Sequence, residues 1–226
     1  MTPQPRPVGR PGASLRLVET SLDEPPLSRQ ERKERTRQAL LNAALAQLED
    51  RSFGAMSLRE VSKAAGITPT AFYRHFDSME ELGLVLVDDS FASLRELMRA
   101  GRSEVAEPGD DIRTSAAILV RHVQEHRLHY RFIARERSGG IASLRAGIAR
   151  EIHSFSSELV GDLRRYPVLG ELDTPSLDMI ASLFVTVMVA TAERLLDAPE
   201  AEGEIRARTE DQMRIIVLGA TQWHRV

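Results

Sequence analysis

The chain has no cysteine among its 226 residues, which excludes disulfides, thiolate nucleophiles and cysteine-ligated zinc. Aromatic residues are scarce, at 5% with a single tryptophan, so any core is built mainly from aliphatic side chains. Only Lys33 and Lys63 are lysines, the remaining basic residues being arginines; that bias points to a GC-rich genome rather than to a function. No G-x-S-x-G elbow, phosphate-binding loop or dinucleotide fingerprint occurs, so catalysis and bound cofactors are not expected. The N-terminal segment lacks the apolar centre of a signal peptide.

What is present is unevenly charged. The net charge is −3, yet residues 28–76 hold nine Lys/Arg against five Asp/Glu, giving +4 and leaving −7 on the rest. A basic head on an acidic body concentrates any attraction for nucleic acid at one end. The length allows one ordinary core plus a small domain. Helical periodicity runs throughout with no strand pattern, so the expected fold class is all-α.

The stretch Met56–Phe76 reads as two short helices joined by a tight turn. Ser57 and Glu60 have the spacing of a capping box, which starts a helix at Leu58. Gly66 stands where a helix stops in the left-handed conformation, and Thr68 with Pro69 restarts one. Leu58, Val61, Ala65, Phe72 and Phe76 share one apolar stripe. Thr68, Thr70, Tyr73, Arg74 and His75 fall on the free face, a set of hydroxyl, phenol, guanidinium and imidazole groups suited to base edges and phosphate oxygens. The spacing fits a helix-turn-helix, and also a plain helical hairpin with a polar outer face.

The run A-G-I-T-P-T-A-F-Y-R-H-F-D-S-M-E-E-L, preceded by a long helix, resembles the DNA-binding domain of the TetR family of bacterial one-component transcription regulators. The likeness covers residues 28–90 or so. It implies a cytoplasmic homodimer acting on double-stranded operator DNA, with the second helix of the motif in the major groove. Carried onto this sequence, it makes Arg59, Thr68, Pro69 and Thr70 base readers, and Thr36, Arg37, Ser57, Tyr73 and His75 phosphate contacts. Met79 departs from the pattern, standing where many members carry a phosphate-reaching lysine.

Three parts are expected: a disordered arm at 1–27, a three-helix DNA-binding domain at 28–76 and a helical effector-binding and dimerisation domain at 77–226. In the arm, Arg6–Gly12 contains the Gly-Arg-Pro centre of a minor-groove hook. Ser28 and Glu31 form a second capping box, opening a helix to about residue 49 with Leu40, Leu41, Ala44, Leu45 and Leu48 on one face. Its early Arg and Glu residues also suit a solvated face laced with ion pairs. Ser78 and Glu81 form a third capping box, opening a helix to about Gly101 that joins head to body and is a plausible lever between them. Further helices are predicted over 111–126, 128–137, 141–165, 175–197 and 202–223. The apolar run Met179–Ala192 is too short to span a bilayer and reads as a buried or interface helix; with the last helix it suggests a four-helix dimer interface, the alternative being an intrachain core.

The segments Asp77–Asp89 and Phe132–Phe155 resemble the FabR and DesT type of TetR-family regulator, which controls unsaturated fatty-acid synthesis or desaturation. That resemblance implies long-chain acyl-CoA or acyl-carrier-protein as effector. Such a ligand requires an apolar tunnel with cations near its mouth. Candidate tunnel residues are Phe91, Ile118, Phe132, Phe155, Phe184 and Met188, each equally suited to plain core; Arg135, Arg137 and Arg145 are candidate anion contacts. Another hydrophobic effector, such as a drug, fits the same layout. A contrasting class is raised by His122, Glu125 and His126, which match the H-x-x-E-H zinc peptidase signature with His129 close by. No downstream carboxylate ligand is recognisable, and the alternative is a solvated histidine face, so no metal is expected.

Overall fold

The computed structural model describes residues 28–102, 110–166 and 169–223; the arm lies outside them. Among the described residues there are nine α-helices and no strand. They are α1 (Arg29–Gln47), α2 (Leu58–Ala64), α3 (Pro69–Phe72), α4 (Met79–Arg102), α5 (Asp110–Glu125), α6 (Arg127–Glu136), α7 (Ala142–Leu163), α8 (Thr174–Asp197) and α9 (Glu202–Thr221). Single 3-10 turns precede α2 at Phe53–Ala55 and α9 at Pro199–Ala201.

The helix starts follow local chemistry. Reciprocal capping boxes close α1, through Ser28 and Glu31, and α2, through Ser57 and Glu60. Gly66 has φ of 73°, a conformation that costs glycine little and other residues more. Thr68 Oγ1 then accepts from the Ala71 N–H, and Pro69 occupies the first turn of α3. Two expectations need correction. The second helix of the motif stops after one turn at Phe72; residues 73–75 continue as turns, with Arg74 N–H donating to Ala71 O, and His75 N–H and Phe76 N–H both to Phe72 O. At the start of α4, Ser78 Oγ caps Glu81 N–H, but the Glu81 carboxylate accepts from Asp77 N–H rather than closing a box on Ser78.

Two apolar clusters hold the molecule. The first joins Leu40, Leu45, Val61, Phe72 and Phe76 of the head to Leu82, Leu86, Phe132, Leu144 and Ile148 of α4, α6 and α7. Gly83 permits the close packing there: a Cβ would stand 2.8 Å from Phe53 Cζ and 2.9 Å from Leu144 Cδ2. The second cluster fills the space between α5, α7, α8 and α9. There Thr191 and Thr209, both buried, share a hydrogen bond of 2.8 Å across α8 and α9. Arg95 of α4 pairs with Glu151 and Glu158 of α7.

The run Met179–Ala192 is part of a 24-residue helix that is, by length and composition alone, long enough to cross a membrane. The expectation that it is too short is thereby corrected. Even so, ten of its residues, from Ser176 to Leu195, are buried against neighbouring helices, the pattern of an internal helix.

Candidate nucleic-acid interface and ligand pocket

The free face of the helix-turn-helix is built as its caps dictate. Val61, Phe72 and Phe76 anchor α2 and α3 in the first cluster. Thr68, Pro69, Thr70 and Arg74 stay exposed, as does Tyr73, whose side chain is 60% exposed for a large aromatic. Phe72 stacks edge-on to Tyr73 with ring centroids 5.8 Å apart, which sets the direction of the phenol. Arg59 is exposed on α2. Ser57 Oγ is engaged with Glu60, whose carboxyl is held down to about 2, first by the Ser57 backbone N–H and then by its hydroxyl.

Two candidate phosphate contacts are used within the chain. Arg37 Nη1 donates to His75 O at 3.0 Å, and its guanidinium lies 4.3 Å over the Phe76 ring. It thus holds the end of the motif down onto α1, a positioning role that the basic run at the start of α1 did not reveal. Thr36 Oγ1 donates back to Arg32 O. His75 is half-buried, and its Nδ1 makes no hydrogen bond. Burial first, then the charges of Lys33, Arg37 and Arg74, hold its imidazole below the ordinary range. Met79 packs against the first cluster, which accounts for an apolar residue at that position.

The body contains an apolar pocket of about 610 Å³, its mouth included, between α4, α5, α6, α7 and α8. Phe91, Phe155 and Met188 line it, and Arg137 stands at its edge. Five candidates lie elsewhere. Ile118 is buried outside the pocket lining, Phe184 belongs to the second cluster, and Phe132 is packed in the first, its ring 5.9 Å from that of Phe53. Arg135 turns toward the head, donating to Leu48 O at 2.9 Å and Arg51 O at 3.0 Å. Its neighbour Glu136, buried, accepts from the Phe53 N–H at 2.9 Å. These consecutive residues clasp the end of α1 and the turn before α2. Neither role has a sequence signal, because the partners are more than eighty residues away.

Arg145 lies in a second, polar groove, open to solvent, that abuts the pocket and shares Arg137, Ile152 and Glu193 with it. Sequence reasoning missed Tyr130, Ile133 and Glu193, which also line the pocket.

The histidines form neither a solvated face nor a metal centre. His122 is buried; one ring nitrogen faces Ser93 Oγ at 2.7 Å and the other Tyr130 Oη at 3.0 Å. With both nitrogens engaged and Glu125 exposed, the H-x-x-E-H pattern does not assemble, and no group of three potential ligands occurs among the described residues. His129 Nδ1 faces Ser90 Oγ at 2.8 Å, so both histidines tie α4 to the helices behind it. Burial first, then His126 and His129, pushes His122 down to about 4. An imidazole whose folded pKa lies below its unfolded value stabilises fully above about 6.5 and loses that contribution as pH falls toward about 4, because the unfolded chain takes the proton first. Urea unfolding should therefore show stability declining across that window, and His122→Gln should flatten the decline.

An all-helical chain with a capped helix-turn-helix at one end and a pocketed body at the other has the layout of a ligand-responsive transcription regulator. Residues 40–84 match the family described as bacterial regulatory proteins, tetR family, and residues 108–219 match the tetracyclin repressor-like C-terminal domain. The chain belongs to the TetR family of transcriptional regulators. Similar solved structures include a TetR-family regulator from Streptomyces coelicolor, 18% identical with a TM-score of 0.63, the match covering 84% of each chain. The fatty acid degradation regulator FadR from Bacillus halodurans is 10% identical with a TM-score of 0.63, covering 80% of this chain and 94% of its own. SmeT in complex with triclosan is 16% identical with a TM-score of 0.64, covering 81% and 90%.

Proposed function

We propose that this chain is a cytoplasmic homodimeric repressor of fatty-acid synthesis or desaturation genes, binding an inverted-repeat operator and answering to long-chain acyl-CoA or acyl-carrier-protein. The observation that carries the DNA-binding part is the exposed row Thr68, Pro69, Thr70 and Tyr73 on a rigidly capped turn beside a basic helix. Two such heads would read half-sites about 34 Å apart in successive major grooves. Dimerisation is supported by the outer face of α8 and α9, where Met179, Leu183, Ile215 and Leu218 are large, apolar and exposed; such a patch suits pairing with its own copy.

The pocket supports the effector class. Its wall is apolar, as small-molecule sites require, and Arg137 and Arg145 lie toward the polar groove where an acyl chain would end. A drug-sized hydrophobic effector is the second reading, favoured by the fold shared with the triclosan-bound SmeT.

The deciding experiment is binding to DNA upstream of the protein's own gene against random DNA at about 150 mM salt, with and without palmitoyl-CoA, since salt sets the non-specific background. Specific binding weakened or strengthened by palmitoyl-CoA supports both parts of the proposal. Specific binding indifferent to it leaves the regulator and removes the acyl effector. In the same assay Tyr73→Phe should weaken binding to all sequences alike. Thr70→Ala should lose about 1–3 kcal/mol on the operator alone, and an unchanged sequence preference would count against base reading by Thr70.

A further inference from the structure

We infer that the pocket takes an amphiphile with an anionic head, and that Glu193 occupies the place of that head on Arg137 when the pocket is empty. The inference rests on the ligand pocket proposed above and names the charge its occupant carries. Among the described residues of the pocket wall the only polar side chains are Tyr130, Arg137 and Glu193. Tyr130 is engaged with His122, and burial raises its pKa so that it stays neutral. The charged partners left are Arg137, the residue that ends α6, and Glu193 of α8, joined at 3.0 Å. Both side chains are about two-fifths exposed, at 38% and 43%, and both line the pocket and the polar groove. The pair therefore stands at the boundary between an apolar and a wet compartment.

An ion pair open to water contributes little to stability, so parting it is easy. A carboxylate or phosphate tethered to a buried apolar chain is held at that boundary at high effective concentration. It can accept two N–H bonds from the guanidinium, as Glu193 now accepts one. The exchange conserves charge at Arg137 and releases Glu193 into the groove, where Arg145 and His153 also line the wall. A neutral head gains no such bond. A cationic head would gain Glu193 but meet Arg137 as a like charge. A fatty carboxylate and the phosphates of an acyl thioester share the chemistry required.

The test is calorimetric titration of the full chain with decanoate, decan-1-ol, decylammonium and decanoyl-CoA, in the wild type and in Glu193→Gln and Arg137→Gln. Decanoate should bind about tenfold tighter than decanol. Glu193→Gln should tighten decanoate several-fold and leave decanol unchanged, whereas Arg137→Gln should erase the difference between them. Decanoyl-CoA binding more tightly than decanoate would assign the anion to the thioester's phosphates; weaker binding would assign it to a free carboxylate. Equal wild-type affinities for decanoate and decanol would overturn the inference, as would decylammonium binding tightest or Glu193→Gln weakening decanoate. If no probe binds, the pocket reading falls with it, while specific operator binding by the ligand-free protein still stands or fails by its own assay.

Discussion

Phe132→Ala is expected to destabilise the chain by about 3–5 kcal/mol, seen as a fall in Tm of roughly 6–20 °C for a protein of this size. Phe132 has no exposed surface and lies in the cluster that also contains Phe53, Leu82, Leu86 and Leu144. Truncation leaves a cavity that this wall cannot easily close, because Gly83 already brings α4 against Phe53 and Leu144. Phe155 is the contrasting case. It is half-buried on the pocket wall, so Phe155→Ala should alter ligand affinity more than stability. Normal melting of Phe132→Ala combined with lost ligand affinity would return Phe132 to the ligand wall.

Leu218→Glu combined with Leu183→Glu should convert the protein to a monomer and reduce operator affinity by a factor of roughly 100 or more, because each head then binds without the tethering that makes the second contact intramolecular. Leu218 is 66% exposed and Leu183 49%, so the charges meet water in an isolated chain and unfolding should change little. Sedimentation and operator titration read the two effects separately. A double variant that stays dimeric with full operator affinity would move the interface off this face.

Local signals in the sequence were the readable ones. Ser28 with Glu31, Ser57 with Glu60, Gly66, and Thr68 with Pro69 act over three or four residues, and each predicted start or stop appears at its place. The apolar stripe of α1 was legible for the same reason, since Leu40, Leu41, Ala44, Leu45 and Leu48 are all buried. The short second helix of the motif was not: α3 stops at Phe72, and just beyond it the His75 carbonyl is taken by Arg37, across on α1 and thirty-eight residues away.

Roles decided by distant partners were also hidden. Arg135 and Arg137 are two residues apart and alike in the sequence, yet one holds carbonyls of the head and the other a carboxylate of α8. Phe132 and Phe155 have the same chemistry and differ in which neighbour each helix face meets. For His122, a five-residue pattern suggested a ligand where Ser93 and Tyr130 supply ordinary partners.

The clasp made by Arg135 and Glu136 bears on how such regulators can be recombined. The end of α1 and the turn before α2 take their hydrogen bonds from α6, and the apolar floor of the head is furnished by α4, α6 and α7. A chimaera that grafts residues 28–76 onto a foreign body would leave the Phe53 N–H and the Leu48 and Arg51 carbonyls without their present partners, over an unmatched apolar surface. Transplanting the head therefore requires moving the end of α6 that carries Arg135 and Glu136, and the facing sides of α4 and α7, along with residues 28–76.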